Sequence, residues 1–552
     1  MTTVAATPQP SLLAALASTD HKRVAARVMA TAFVFFIAGG LLALLIRAEL
    51  YSPGSQVVGQ QSYNAIFTMH GSTMIYLFMV PLSLAMGLYM VPLQVGAAEI
   101  ALPRLALLAW WLQIGGGVTM YLGWFTRNGP GTAGWTAFDP LSNSANTPGD
   151  GMYLWIFGVV LATASGLLMA ICVLATIVGR RAPGMTMLRL PVFTWSMLAT
   201  CILVIVGFPV LLVAMGLLFV EREWGGVFDS SGGPIAYQHL FWFYGHPVVY
   251  VMFFPFVGAV GEVLATFSRR RFFGYRAHVA ALLLFTALST SVWAHHMFAS
   301  GQVTVKYFSL TTTALIVPAG IEYLDLVGTM FGGRLRLGIP LAFAVAFIVQ
   351  FLLGGLSGVF IGSPPLDYQV NKSYFIVAHF HYTLFAGSLF AFYAAFYYWW
   401  PKVTGCHLRT RLGWIHFWLL AVGANLTFFP MFLLGYDGMP RRVADYSPRF
   451  TDLNRLATLG AFTIALATLV WIANVFVSLR RREPAPADPW EGHTLEWATS
   501  SPPPRHNFTA PLPPIRSFAP LLDARRRREQ ADAVGAGAAA AAGHPDAGEA
   551  TR

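Results

Sequence analysis

Six histidines stand inside long apolar stretches of this chain: His70, His246, His295, His296, His379 and His381. A buried imidazole costs free energy unless its nitrogens are hydrogen-bonded or bound to a metal. Spacing divides the work among the six. His379 and His381 are about 200° apart around a helix of 3.6 residues per turn, so they cannot share one metal but can serve two cofactors on opposite flanks. His295 and His296 are adjacent. With His246 from a separate stretch they offer three imidazoles from two elements, a set suited to copper with one position left open. Imidazole is equally a ligand of haem iron. Tyr250 follows His246 by four residues, one turn on along the same helix face. A phenol there can supply a proton and an electron to an oxidant bound at the metal.

Elements that position such groups follow from composition. Of 552 residues, 56% are hydrophobic and only 11% are charged, against about 25% charged in a soluble domain. Apolar stretches of about 20 residues or more recur, each long enough to cross a bilayer as a helix. The fold class is therefore all-α: a polytopic membrane protein with twelve transmembrane helices. Their ranges are roughly 28–47, 64–94, 105–125, 152–178, 192–220, 236–266, 278–299, 306–331, 338–361, 374–400, 412–434 and 455–478, with ends set to about 2–4 residues. Residues 1–27 precede them as a polar segment that is expected to be retained rather than cleaved. Residues 483–552 follow as a Pro-, Ala- and Arg-rich tail, expected to be extended and disordered toward its end. The twelve-helix unit spans 28–482.

The net charge of +11 does not point to nucleic acid, because the basic residues cluster in loops between spans. Loops after even-numbered spans carry Arg180 and Arg181, Arg269 to Arg271, Arg334 and Arg336, and Lys402, Arg409 and Arg411. These fall on one side, together with Lys22, Arg23 and Arg27 before the first span and Arg480 to Arg482 after the last. Basic loops face the cytoplasm, so both termini are expected there, in the plasma membrane of a bacterium. Three cysteines without a close pair, Cys172, Cys201 and Cys406, exclude a disulfide framework and a Cys-rich metal site within the chain. On this topology His70, His246, His379 and His381 lie about 8–15 Å inside the outer surface, at 1.5 Å per residue. His295 and His296 end a span that runs the other way. All six share one depth.

These residues sit in motifs that resemble subunit I of the haem-copper oxygen reductases, closest to the A-type cytochrome c oxidases. The motifs are YNAIFTMHG (63–71), YQHLFWFYGHPVVY (237–250), VWAHHMF (292–298), VAHFHY (377–382) and GMPRR (438–442), supported by LIRAEL (45–50) and PLQVGA (92–97). The likeness runs from TDHK at 19–22 to SPPP at 501–504. It implies that His70 and His381 are the axial ligands of a low-spin haem, and His379 the proximal ligand of a high-spin haem. It implies that His246, His295 and His296 hold the facing copper, and that Tyr250 is the tyrosine linked to the first copper histidine. Arg441 and Arg442 resemble the pair that holds haem propionates. Arg47, Trp242 and Trp135 would lie near the haems. The implied activity is reduction of O2 to water, with two haems of A or related type and one copper. The implied partners are subunit II with a dinuclear copper, subunit III, and cytochrome c as donor; a quinol remains the alternative donor.

The proton routes depart from the A-type pattern. Val248 stands where the family has a glutamate, and Gly245 beside Tyr244 where a variant subgroup has a Tyr-Ser pair. Glu99 aligns with the entrance aspartate, Leu88 with its asparagine, and Glu322 with the lysine of the second route. Asn371 and Lys372 replace the His-Asp pair that helps bind magnesium, which puts that ion in question. Glu322, with Asp325 three residues on, is the expected proton-relay group toward Tyr250. Glu262, near the cytoplasmic end of span 6, reads as a solvated carboxylate, with a proton-entry role as the alternative. Two rival readings are a nitric oxide reductase on the same fold, against which Tyr250 argues, and a non-catalytic haem protein or transporter, against which the copper-type histidines argue.

Overall fold

The computed structural model describes residues 11–54, 56–228 and 232–542. As expected, the described residues are almost wholly helical, and twelve helices are long and apolar enough to cross a membrane. Spans 1 to 6 are His21–Glu49, Gln60–Gln94, Pro103–Phe125, Gly151–Gly179, Val192–Trp224 and Gly233–Phe267. Spans 7 to 12 are Tyr275–Ser300, Val305–Met330, Ile339–Gly362, Tyr374–Thr404, Thr410–Tyr436 and Pro448–Arg481. Spans 2 and 6 form the centre, each 89% buried over its most apolar window, whereas spans 1 and 12 are 17% and 22% buried and face outward. The two central spans carry His70 and His246.

Several spans lose regular α geometry where the histidines lie. Span 2 widens into a π-helix over Thr73–Met79, just after His70, and span 10 does so over His381–Leu389. Such widened turns are frequent at functional positions. Span 6 breaks between its halves Gly233–Val251 and Phe254–Phe267, the second of which starts with Pro255 near its N-terminus. Span 7 ends its α-helix at Ser289, and His295 and His296 lie in the tighter 3-10 stretch Trp293–Ser300.

Two boundaries differ from expectation. Span 1 starts at His21 rather than near residue 28, because the Asp20 side chain accepts from Lys22 N at 3.0 Å and caps it. The segment after span 12 is not extended. His493, Leu495, Glu496, Trp497 and Asn507 are all buried against the face of the bundle that bears both termini. Asn507 Oδ1 meets His21 Nε2 at 3.1 Å and Lys22 Nζ at 3.1 Å, which ties TDHK to the tail. A helix, Pro520–Ala542, follows. The polar stretch 1–10 and the tail end 543–552 lie outside the described residues.

Candidate metal centres

His70 and His381 come together from spans 2 and 10. Their rings are nearly parallel, 13° apart, with centroids separated by 6.5 Å. The Nδ1–H of His70 donates to Gly39 O at 2.9 Å, and that of His381 to Val377 O at 2.8 Å. A histidine nitrogen so engaged leaves the other, Nε2, to bind metal. Two imidazoles on opposite sides of one iron, each about 2.0 Å from it, place their centroids about 6 Å apart. The pair therefore fits a six-coordinate haem. Arg47 is buried nearby, donating to Asn454 O at 2.7 Å and to Thr458 Oγ1 at 3.1 Å, and its Nη1 has no partner among the described residues.

His379 faces the other flank of span 10. Its Nδ1–H reaches Gly354 O at 3.1 Å and Ser357 Oγ at 3.0 Å, both on span 9. Ser357 Oγ–H itself donates to Gly354 O, so the serine oxygen accepts from the ring. This again presents Nε2 as the free ligand. Close approach of the two helices depends on small residues: a Cβ on Gly358 would lie 3.0 Å from His379 Cε1.

His246, His295 and His296 are the one group of three or more His, Cys, Asp or Glu side chains among the described residues with ligand atoms gathered within 4.8 Å. His246 Nδ1 is 3.4 Å from His296 Nε2, which is 3.1 Å from His295 Nε2. Three nitrogens bound at about 2.0 Å to one ion stand about 3 Å apart, so the cluster fits copper. Thr312 fixes one ring: its hydroxyl donates to Phe308 O and accepts from His295 Nδ1 at 2.9 Å. His246 Nε2 is buried without a partner. The Tyr250 ring lies beside it, centroids 4.7 Å apart. Trp242 stacks on His296 at 4.0 Å and meets Trp135 edge-on at 5.8 Å. Trp135 also packs against Gly71, next to His70.

The loop between spans 11 and 12 brings Arg441 and Arg442 to this side. Arg441 N–H donates to Lys372 O at 2.9 Å, and the Arg442 guanidinium lies over Phe67 at 5.7 Å. Burial, with Arg442 beside it, pushes the Arg441 guanidinium down to about 9. The Asp367 carboxylate partly offsets this, and a further anion such as a haem propionate would fit beside the two guanidiniums. Magnesium does not fit at Asn371 and Lys372. The amide of Asn371 donates to Asp367 Oδ2 at 3.1 Å, and Lys372 adds a positive charge beside Arg441 and Arg442.

On the proton side the candidates separate. Glu322 is buried in span 8, with Oε1 unpartnered among the described residues, in electrostatic reach of both Tyr250 and Asp325. Tyr244 is buried and stacks on Tyr76 at 6.3 Å. Glu99 is exposed in the loop after span 2. Glu262 is not solvated: it is 5% exposed and accepts from Phe193 N at 3.3 Å. Sequence reasoning passed over His239, whose Nδ1 accepts from Trp293 Nε1 at 3.2 Å and so braces the turn that bears His295 and His296. Its separation of seven residues from His246, two helical turns, was the available signal. Ser357 and Thr312 carried no signal, since their role depends on which helix packs beside them.

Comparison with known proteins agrees with this geometry. Residues 23–463 match the family model described as cytochrome C and quinol oxidase polypeptide I. A putative cytochrome c oxidase subunit 1-beta of Streptomyces coelicolor is 48% identical over 512 residues, 92% of this chain and 89% of the relative. A cytochrome c oxidase subunit 1 of Corynebacterium efficiens is 46% identical over 514 residues, 92% of this chain and 88% of the relative. A solved haem-copper terminal oxidase dimer shares the fold with TM-score 0.73 at 18% identity, over 85% of each chain.

Proposed function

Since this chain belongs to the cytochrome c and quinol oxidase polypeptide I family, we propose that it is the catalytic subunit of a bacterial terminal respiratory oxidase. It reduces O2 to water with electrons from cytochrome c. The observation that carries the reading is the gathering of His246, His295 and His296 with the Tyr250 ring against His246.

His70 and His381 would hold the low-spin haem, His379 the high-spin haem, and the three clustered histidines the copper. When bound, these groups supply the one-electron carriers and the two facing metals at which O2 is reduced. With two histidines, His70 and His381, given to it, the low-spin haem would serve electron transfer alone. His379 and His381, two residues apart, would serve the two haems from opposite flanks of span 10. Hydrogen bonds donated by the ring Nδ1–H groups to Gly39 O, Val377 O, Gly354 O and Ser357 Oγ orient the ligand rings. Tyr250 holds a proton next to the copper ligands, and Glu322 brings protons toward it in place of the family's lysine. Arg441 and Arg442 pair with haem propionates, while Arg47, Trp135 and Trp242 line the haems. The haems are of A or related type. Subunit II, with a dinuclear copper, and subunit III complete the complex, and both termini of this chain face the cytoplasm.

A half-buried tyrosine in register with His246 favours O2 over NO as substrate. The purified complex is expected to contain copper and to consume O2 with reduced cytochrome c. Turnover of NO without O2 consumption, or the absence of copper, overturns the reading; turnover with quinol but not cytochrome c replaces the donor alone.

A further inference from the structure

His278 lies one turn into span 7 and is fully buried, and neither ring nitrogen has a hydrogen-bond partner among the described residues. Asp325 of span 8 faces it, Oδ2 lying 3.9 Å from His278 Nδ1. Asp325 is 4% exposed, its Oδ2 is also unpartnered, and Glu322 one turn away has an unpartnered Oε1. Four buried polar atoms thus lack partners within two adjacent helices. Buried polar groups are satisfied in the great majority of cases, so a concentration of exceptions marks water or a proton-carrying role rather than a stabilising bond.

The backbone makes room for this arrangement. Gly274 has φ +64°, and a Cβ there would stand 1.9 Å from Asp325 Oδ1. Thr329 Oγ1–H donates to Asp325 O at 2.7 Å and accepts from Phe273 N at 3.0 Å, which ties span 8 to the turn before span 7. That turn lies on the face bearing both termini. There Phe518 of the tail stacks on Tyr275 at 4.1 Å and Arg271 pairs with Asp523.

We infer that His278 and Asp325 form the entry of the proton path that Glu322 continues, taking protons from the face that bears the termini. His278 accepts a proton from water and passes it to the Asp325 carboxylate. The resulting acid passes it to Glu322 and returns to its ionised form. No electron moves in these steps; O2 reduction consumes four protons with four electrons from the donor, giving two waters. This rests on the oxidase reading given above. Asp325 faces His278 from span 8, and Tyr275 stands one turn before it on its own helix, within electrostatic reach of Glu262 of span 6.

The test uses the purified complex with Asp325→Asn and His278→Gln, which keep most of the side-chain volume. Optical spectra of both haems check assembly. Anaerobic reduction of the high-spin haem is followed at several pH values, alongside O2 consumption. Asp325→Asn is expected to slow both by about tenfold or more, the scale of losing one proton-transfer group, and His278→Gln to displace the pH profile of the anaerobic step. If both variants keep normal spectra, rates within about twofold of the parent and an unchanged pH profile, the inference fails. The oxidase reading fails separately, if the parent complex consumes no O2. Loss of turnover in Glu322→Gln with neither of these variants affected leaves the relay intact and removes only this entry.

Discussion

The imidazole planes of His70 and His381 lie 13° apart with centroids 6.5 Å apart, although the residues come from spans 2 and 10. The arrangement is held from outside: each Nδ1–H is bound to a carbonyl, Gly39 O or Val377 O. Each ring is thereby fixed before a metal arrives. Replacing His381 by Leu is expected to abolish the low-spin haem spectrum and lower turnover by about a hundredfold or more, since iron with one axial histidine no longer serves as a six-coordinate carrier. Copper content should be unchanged, because His381 lies outside the three-histidine cluster. Parallel loss of copper would show that the two centres assemble as one.

His296 makes the opposite separation. It lies 3.1 Å from His295 Nε2 and 3.4 Å from His246 Nδ1, at the hub of the cluster. His296→Asn is expected to drop copper from about one to near zero per complex while the low-spin haem spectrum stays, because two imidazoles bind copper far more weakly than three. Metal analysis and an optical spectrum of the same sample decide this.

Ser357 tests whether ring orientation counts beyond ligand identity. Its Oγ accepts from His379 Nδ1 at 3.0 Å. Ser357→Ala leaves Gly354 O as the sole acceptor, and turnover should fall by about tenfold, the lower end for loss of a partner to a ligating histidine. Gly358→Ala should be worse, since its Cβ would press on His379 Cε1 at 3.0 Å. Its expected signature is loss of the high-spin haem spectrum, which Ser357→Ala should retain.

The contrast between ligands and their supports explains what was legible in sequence. Twelve spans followed from apolar length alone, and the opposite flanks of His379 and His381 from a two-residue offset. His246 and Tyr250 share a face because four residues make about one turn. The π-helical widening at His381 has no local signature. Nor has the 3-10 stretch of His295 and His296, since both depend on what packs outside the helix. The packing of the tail is hidden in sequence for a related reason. Its Pro and Ala content looks like that of an unpacked chain, but Glu496 and Asn507 find partners in Gln94, Trp399, His21 and Lys22, about a hundred to nearly five hundred residues away. Glu262 looked solvated because it stands near a helix end, and it is the docked tail that covers that end.

Docking of the tail should itself depend on pH through His493. The ring is 4% exposed, and burial, reinforced by the charges of Arg525, Arg526 and Arg271, pushes it down to about 3 from the usual 6.5. An undocked tail binds a proton on this ring below about 6.5, whereas the docked one does so only near 3. Docking is therefore fully supported by His493 above pH 6.5 and progressively weakened as pH falls toward 3, by up to about 1.4 kcal/mol per pH unit. Asp488 and Glu496 act in the opposite sense, because burial raises both carboxyls. The difference between parent and His493→Gln isolates the histidine. Limited proteolysis between residues 483 and 523 should accelerate in the parent from pH 7.5 to 5 more than in the variant. Equal acceleration in both would assign the acid sensitivity to other groups in the tail.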